Sequence, residues 1–152
     1  MVMILNRVLY TLLGVVWLAS CGSARLSFYI DPSIKYPEVV QTAFEVYNHQ
    51  VGNPIFFEID TDEANIRVVA NIPLPDPTWA GMFRPPGLIV LHPRINESKE
   101  LTYAVMVHEI GHALGFPDLY DDRDCIMQHV GIGRTDWDGC GFLVELRERY
   151  RE

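Results

Sequence analysis

The chain has 152 residues, of which 49% are hydrophobic, and its formal net charge at pH 7 is −8. The length suits one domain of ordinary size, and the hydrophobic content is sufficient for a packed core. The acidic balance and the absence of a basic patch exclude a nucleic-acid-binding surface. We therefore expect a single globular domain whose partners are not nucleic acids.

The N-terminal residues 1–20 have the pattern of a targeting segment. Arg7 places a positive charge before the apolar stretch 8–19, and this stretch is too short to span a bilayer as a helix. The stretch ends in Leu18-Ala19-Ser20-Cys21, which resembles the lipobox of bacterial lipoproteins. That resemblance implies cleavage before the cysteine and a mature chain, residues 21–152, anchored outside the cytoplasm to a bacterial membrane through acylated Cys21. An ordinary secretory signal, which would leave the protein secreted, is the alternative.

The mature chain has mixed periodicities that predict one α+β domain. Short runs of alternating apolar residues between turn residues predict strands at 25–30, 55–59, 65–70, 79–83 and 87–92. Helical periodicity predicts helices at 36–50, 101–116 and 142–150. Asn96-Glu97-Ser98 offers an N-cap for the second helix.

The predicted helix 101–116 contains the residues with the clearest chemistry. His108 and His112 are four residues apart, so both can bind one metal ion, and Glu109 can take a proton from water. The helix is apolar on nearly every side and should be buried. No Lys or Arg stands three or four residues from Glu109, so a divalent ion would compensate its otherwise costly charge. The alternative is a buried helix with two hydrogen-bonded core histidines.

The residues after His112 predict a change of chain direction that brings in a third ligand. Gly115 suits a left-handed residue at the helix C-terminus, and Pro117 favours an extended residue before it. Asp118 can then supply an oxygen ligand. Gly111 costs about 1 kcal/mol relative to alanine inside a helix. This cost indicates that another segment packs against the backbone there.

The segment 108–118 resembles the signature of the metzincin zinc metallopeptidases, with two histidines, a glycine and a His or Asp as third ligand. With Asp as the third ligand, the segment is similar to that of snapalysin-type bacterial enzymes, whereas most matrixin-like members have His at this position. The resemblance implies a zincin fold, in which a twisted, mostly parallel sheet with an antiparallel cleft-edge strand is combined with an active-site helix and a C-terminal helix. It also implies a zinc endopeptidase that hydrolyses peptides or proteins, with one Zn²⁺ on His108, His112 and Asp118 and with Glu109 as the catalytic base.

Two further features are implied by the same resemblance. Met127 follows Asp118 by nine residues and stands where metzincins have a methionine turn under the metal. The segment 79–83 holds the place of the cleft-edge strand, which pairs with the substrate backbone by strand addition. Trp79 and Phe83 could also be core residues, and the two interpretations are compatible because alternate residues of a strand face opposite ways. His129 stands where several metzincins have a tyrosine, and its interpretation as an extra ligand, a transition-state donor or a surface residue is left open.

Other interpretations of the metal chemistry remain. The third ligand could be Glu145 or Glu148 on the last helix, as in gluzincin-type zinc peptidases. The protein could instead be a membrane-anchored metal-binding or structural lipoprotein without catalysis, although such a site has no need of Glu109. The acidic run 118–124 offers carboxylates for Ca²⁺, but it does not match the twelve-residue calcium loop, so calcium is not predicted.

The three cysteines are an odd number for an exported protein. If Cys21 carries a lipid, Cys125 and Cys140 remain as one pair, which can form a disulfide in an oxidising compartment. Two buried free thiols are the alternative. We expect the protein to be a monomer.

Overall fold

The computed structural model describes residues 25–120, 125–128, 137 and 141–150. Within these ranges the chain forms one five-stranded, mostly parallel sheet and three α-helices, so the predicted α+β class is confirmed. The targeting segment with Cys21 lies outside the described residues. No helix in the described ranges has the length and apolarity needed to span a bilayer.

The helices and strands follow the predicted order, and all five strands are shorter than predicted. In chain order they are β1 (Leu26–Ile30), α1 (Pro37–Val51), β2 (Phe56–Glu58), β3 (Ile66–Val69), β4 (Gly81–Arg84), β5 (Leu88–Leu91), α2 (Lys99–Ala113) and α3 (Phe142–Arg149). A short 3-10 helix, Ile95–Glu97, precedes α2. Helix α1 begins at proline, whose fixed φ suits the first turn, and ends at Gly52 in the left-handed region with φ of 81°.

Strand β4 begins two residues later than predicted. The Asp76 carboxylate accepts hydrogen bonds from the backbone N–H and the hydroxyl of Thr78, at 2.8 and 2.7 Å. Such a side-chain turn competes with extended structure. Trp79 therefore lies before the strand with 45% of its surface exposed, and the interpretation of Trp79 as a core residue is wrong. Phe83 is partly buried and packs against the core.

The sheet has the strand order β2-β1-β3-β5-β4, in which only β4 runs antiparallel to its neighbour. Strands β2 and β4 are therefore its two edges. Helix α1 packs against α2 and β2, whereas α2 packs against β4 and β5. The resulting core contains large side chains from all of these layers, including Phe44, Tyr47, Ile89, Met106 and Ile110.

The edge at β2 is occupied by a side chain of α1. Asn48 accepts a hydrogen bond from the Phe56 backbone N–H at 2.8 Å and donates one to the Phe56 carbonyl at 3.0 Å. The N–H and the carbonyl of Phe56 point away from β1. The hydrogen bonds to β1 come from other residues of this segment, such as the Ile55 carbonyl and the Ile59 N–H. Asn48 thus takes the place that an additional strand would take at this edge.

Candidate metal centre

Helix α2 carries the candidate site and is fixed at both ends. The Ser98 hydroxyl accepts a hydrogen bond from the Leu101 N–H at 3.3 Å, so the predicted N-cap is confirmed. Beyond the last turn, Gly115 adopts a φ of 90°, and its N–H donates to the His112 carbonyl at 2.9 Å. Most of the helix is buried, as its apolar sequence predicted. The side chains of His108, Glu109 and His112 therefore project from a rigid element.

Three ligand atoms converge next to α2. His108 Nε2 and His112 Nε2 are 3.1 Å apart, and Asp118 Oδ1 lies 3.2 Å from the first and 3.4 Å from the second. Ligands bound at about 2.0–2.1 Å to a tetrahedral zinc ion lie about 3.3–3.4 Å from one another. The three distances are close to that spacing. Within the described part of the chain, these three residues form the group that could hold a metal ion.

Backbone carbonyls orient both imidazole rings. His108 Nδ1 lies 2.7 Å from the Ile126 carbonyl oxygen, and His112 Nδ1 lies 2.8 Å from the Phe116 carbonyl oxygen. A carbonyl can only accept, so each Nδ1 carries the proton and each Nε2 presents its lone pair. Burial lowers the pKa of His108 below its ordinary value, which favours the neutral form that binds metals.

A turn at Cys125–Gln128 packs under the histidines. The Gln128 N–H donates to the Cys125 carbonyl at 3.0 Å, and this turn also supplies the carbonyl that orients His108. Met127 is buried, and its Sδ would lie 2.2 Å from a Cβ placed on Gly111. The helix therefore needs glycine where Met127 contacts its backbone, which confirms that another segment packs there.

Glu109 is 5% exposed and lies beside the three ligand atoms. The backbone N–H of Phe83 on β4 acts to lower the pKa of its carboxyl. Its Oε2 is buried without a hydrogen-bond partner among the described residues. Burial raises the pKa of Glu109 to about 8, and the Asp118 carboxylate raises it too, against the opposing effect of the Phe83 N–H. A cation at the three ligand atoms would lower this pKa and favour the ionised form.

The two glutamates of α3 that were alternative third ligands are both exposed. Glu145 forms an ion pair with Arg149 at 2.6 Å. Neither Glu145 nor Glu148 belongs to the described group that could hold a metal ion. The geometry therefore favours Asp118 over both as the third ligand.

Arg149 joins α3 to the end of α2. Its guanidinium donates to the Leu114 carbonyl at 2.8 Å and lies over the ring of Phe116, 5.2 Å from the ring centre. Phe116 is also the residue whose carbonyl orients His112. Arg149 thus supports the turn that holds one of the two histidine rings.

Several of the predicted features lie partly or wholly outside the described ranges. Cys125 is fully buried and disulfide-bonded, so it is not a free thiol. Its predicted partner Cys140 lies outside these ranges, as does His129, so the pairing and the role of His129 stay predictions. Most of the acidic run 118–124 is also outside them.

Sequence reasoning missed the groups that hold the site in place. The carbonyls of Phe116 and Ile126, which orient the two imidazole rings, are backbone groups, which no side-chain pattern reveals. Gly81 did carry a signal, because glycine inside a strand often marks the close approach of another segment. The structure has such an approach at Gly81, where α2 packs against β4.

The sequence matches no protein-family model and no curated protein. The motif and the geometry of this site therefore carry what can be proposed about the function of the chain.

Proposed function

We propose that the protein is a zinc-dependent endopeptidase with a metzincin-like fold. The observation that carries the proposal is the convergence of His108 Nε2, His112 Nε2 and Asp118 Oδ1 beside the buried carboxylate of Glu109. Structural zinc sites are closed by four protein ligands, whereas catalytic sites use three and keep a position for water or substrate. The antiparallel edge strand β4 beside α2 also supports a metzincin-like arrangement.

The chain's own residues suit peptide hydrolysis. Zinc, when bound, would supply Lewis-acid chemistry by acidifying water and polarising the scissile carbonyl. His108 and His112 present neutral imidazole nitrogens to it, and Asp118 adds a negative charge. Glu109 takes a proton from the attacking water and returns it to the leaving amine.

The substrate in this proposal is an extended peptide that pairs with an edge of the sheet. Asn48 already occupies the β2 edge. The β4 edge lies beside α2 and its metal ligands. The peptide therefore binds along β4, where its scissile bond can reach Glu109.

The proposal includes export and lipid anchoring. The Leu18-Ala19-Ser20-Cys21 sequence supports acylation of Cys21 and attachment to the outside of a bacterial membrane. Secretion after ordinary signal cleavage is the alternative.

The test combines metal analysis of the purified protein with cleavage of a denatured protein substrate. We expect one zinc ion per chain, and activity that a chelator abolishes and added zinc restores. Glu109→Ala should abolish cleavage and keep the zinc, whereas Glu145→Ala should keep both. A wild-type protein that binds zinc and cleaves nothing would refute the peptidase and support a metal-binding lipoprotein without catalysis.

A further inference from the structure

One turn, residues 125–128, contacts the segments that carry two of the three possible metal ligands. On one side, the Ile126 carbonyl oxygen lies 2.7 Å from His108 Nδ1. This contact keeps the proton on Nδ1 and turns Nε2 toward the other ligand atoms. The orientation of the His108 ring therefore depends on the position of this turn.

On its other side, the same turn holds the residue next to Asp118. The Leu119 N–H donates a hydrogen bond to the Met127 carbonyl at 2.8 Å, and Leu119 forms a β-bridge with Gln128. Asp118 immediately precedes Leu119, so the bridge fixes the backbone from which the Asp118 carboxylate reaches the two imidazoles at 3.2 and 3.4 Å. Two ligands from separate parts of the chain thus share one support.

The remaining histidine, His112, is oriented by a different segment. Its Nδ1 lies 2.8 Å from the Phe116 carbonyl oxygen, just beyond the end of α2. The Phe116 N–H donates to the Gly111 carbonyl at 3.0 Å, so this segment is bonded to the helix itself. A displacement of the turn 125–128 should therefore leave the His112 ring in place, which makes it an internal reference for His108.

The turn begins at a cysteine that is part of a disulfide. Cys125 is fully buried and disulfide-bonded, and its Sγ accepts a hydrogen bond from the Met127 N–H at 3.4 Å. A covalent bond at this residue limits how far the turn can move, whereas hydrogen bonds and side-chain packing can open locally. Disulfides persist in exported proteins, whereas the reducing cytoplasm keeps cysteines as thiols.

We infer that the Cys125 disulfide controls the affinity of the metal centre: it fixes the turn 125–128, and the turn holds His108 and Asp118 in position for one ion. The part of this inference that concerns zinc and cleavage rests on the proposed function. Cys125 is a positioning residue, because it acts through these two ligands. With thiols in place of the disulfide, the chain should bind zinc more weakly, so peptide cleavage would begin only after export from the cytoplasm.

The first measurement compares zinc affinity with and without the disulfide. Peptide mapping without reduction identifies the partner of Cys125 from the other two cysteines, Cys21 and Cys140. Replacing this partner by alanine breaks the bridge and keeps the buried Cys125 side chain. We expect zinc affinity in a competition titration to fall about 10- to 100-fold, as when other groups that orient metal ligands are removed. Alanine at the cysteine outside the bridge is the matched control and should leave the affinity unchanged.

The second measurement separates positioning from a general loss of stability. The chain has five histidines, and in a ¹⁵N-histidine spectrum of the metal-free protein the signals of His108 and His112 are those lost in His108→Gln and His112→Gln. The nitrogen shifts, recorded in mildly alkaline buffer, show which ring nitrogen has the proton. In the variant without the bridge, His108 should change from the Nδ1–H form toward a mixture of both tautomers, whereas His112 should keep its Nδ1 proton.

Three results would overturn the inference. One is an unchanged zinc affinity in the variant without the bridge. The second is a weaker affinity with an unchanged His108 spectrum. The third is a weaker affinity with equal changes at His108 and His112, because this would show a general loosening of the fold.

Reduction of the folded wild-type protein covers the case in which the variant without the bridge does not fold. Dithiothreitol breaks the S–S bond, transfers two electrons and two protons to the two sulfurs, and closes into its own cyclic disulfide. After the reagent is removed and the free thiols are counted, zinc affinity should be lowered by a similar factor. Reoxidation with oxidised glutathione should restore it. Fully reduced protein with wild-type affinity overturns the inference.

Failure of this inference and failure of the proposed function give different results. A wild-type protein that binds zinc and cleaves no peptide refutes the peptidase, whereas a dependence of its zinc affinity on the disulfide still supports the inference. A protein that binds zinc and cleaves peptides equally well with the disulfide and with thiols keeps the proposed function and overturns the inference.

Discussion

Replacing Asn48 by alanine should destabilise the protein, because the Phe56 N–H and carbonyl would lose their partners at the β2 edge. Two hydrogen bonds of 2.8 and 3.0 Å are removed, and each contributes about 0.5–1.5 kcal/mol. Alanine is the better helix former, which offsets about 0.5 kcal/mol. The expected loss in the free energy of unfolding is therefore about 0.5–2.5 kcal/mol. With an m-value of about 2 kcal/mol/M, the urea midpoint should fall by about 0.3–1.2 M.

Gln41→Ala is the matched control for this measurement. Gln41 also reaches from α1 to β2, but it bonds the exposed carboxylate of Glu58 at 2.6 Å, where water can replace it. Its urea midpoint should stay close to that of the wild type. Equal midpoints for Asn48→Ala and Gln41→Ala would refute the role assigned to Asn48. Self-association is a second readout. Asn48→Ala should increase it, because it uncovers a strand edge that can pair with another chain, next to Phe57, which is 44% exposed.

Three other outcomes are expected. Asp118→Ala should weaken zinc binding sharply in a competition titration and Glu145→Ala should not; the opposite pattern would support the gluzincin-type alternative. Arg149→Ala should weaken zinc binding by about tenfold, because it loosens the turn that orients one histidine. Arg147→Ala, which removes the other described arginine of α3, should leave the affinity unchanged, and equal effects would contradict a specific role for Arg149. Mass spectrometry of the membrane fraction should find acyl chains on Cys21, and a soluble protein with Cys21 unmodified or removed would rule out the lipoprotein proposal.

The order of the helices and strands, and the group that could hold a metal ion, could be predicted because their signals are local. His108 and His112 have helical spacing, and the glycine and proline after them mark a change in chain direction. Helix α2 was predicted at 101–116 and observed at Lys99–Ala113, since the Ser98 cap starts it earlier and the left-handed Gly115 follows its end. Periodicity alone does not fix such end points.

Features that depend on distant contacts could not be predicted from the residues alone. The start of β4 shifted because a short side chain, Asp76, formed a turn that competes with the strand. The contact between the Ile126 carbonyl and His108 Nδ1 joins a backbone group to a side chain 18 positions earlier. Sequence periodicity carries no information about which backbone carbonyl meets which imidazole. The same holds for Asn48. Nothing in the sequence of α1 indicates that its side-chain amide bonds the backbone of Phe56 on β2.

The close approach of the two Nε2 atoms and Asp118 Oδ1 has an energetic consequence for folding. Two lone pairs and a carboxylate oxygen at 3.1–3.4 Å repel one another, so the buried helix and the carbonyls that hold the rings must keep them together. A cation bound at these three atoms would relieve the repulsion and so stabilise the folded chain. Zinc at about 100 times its Kd would then add about 2.7 kcal/mol to the free energy of unfolding.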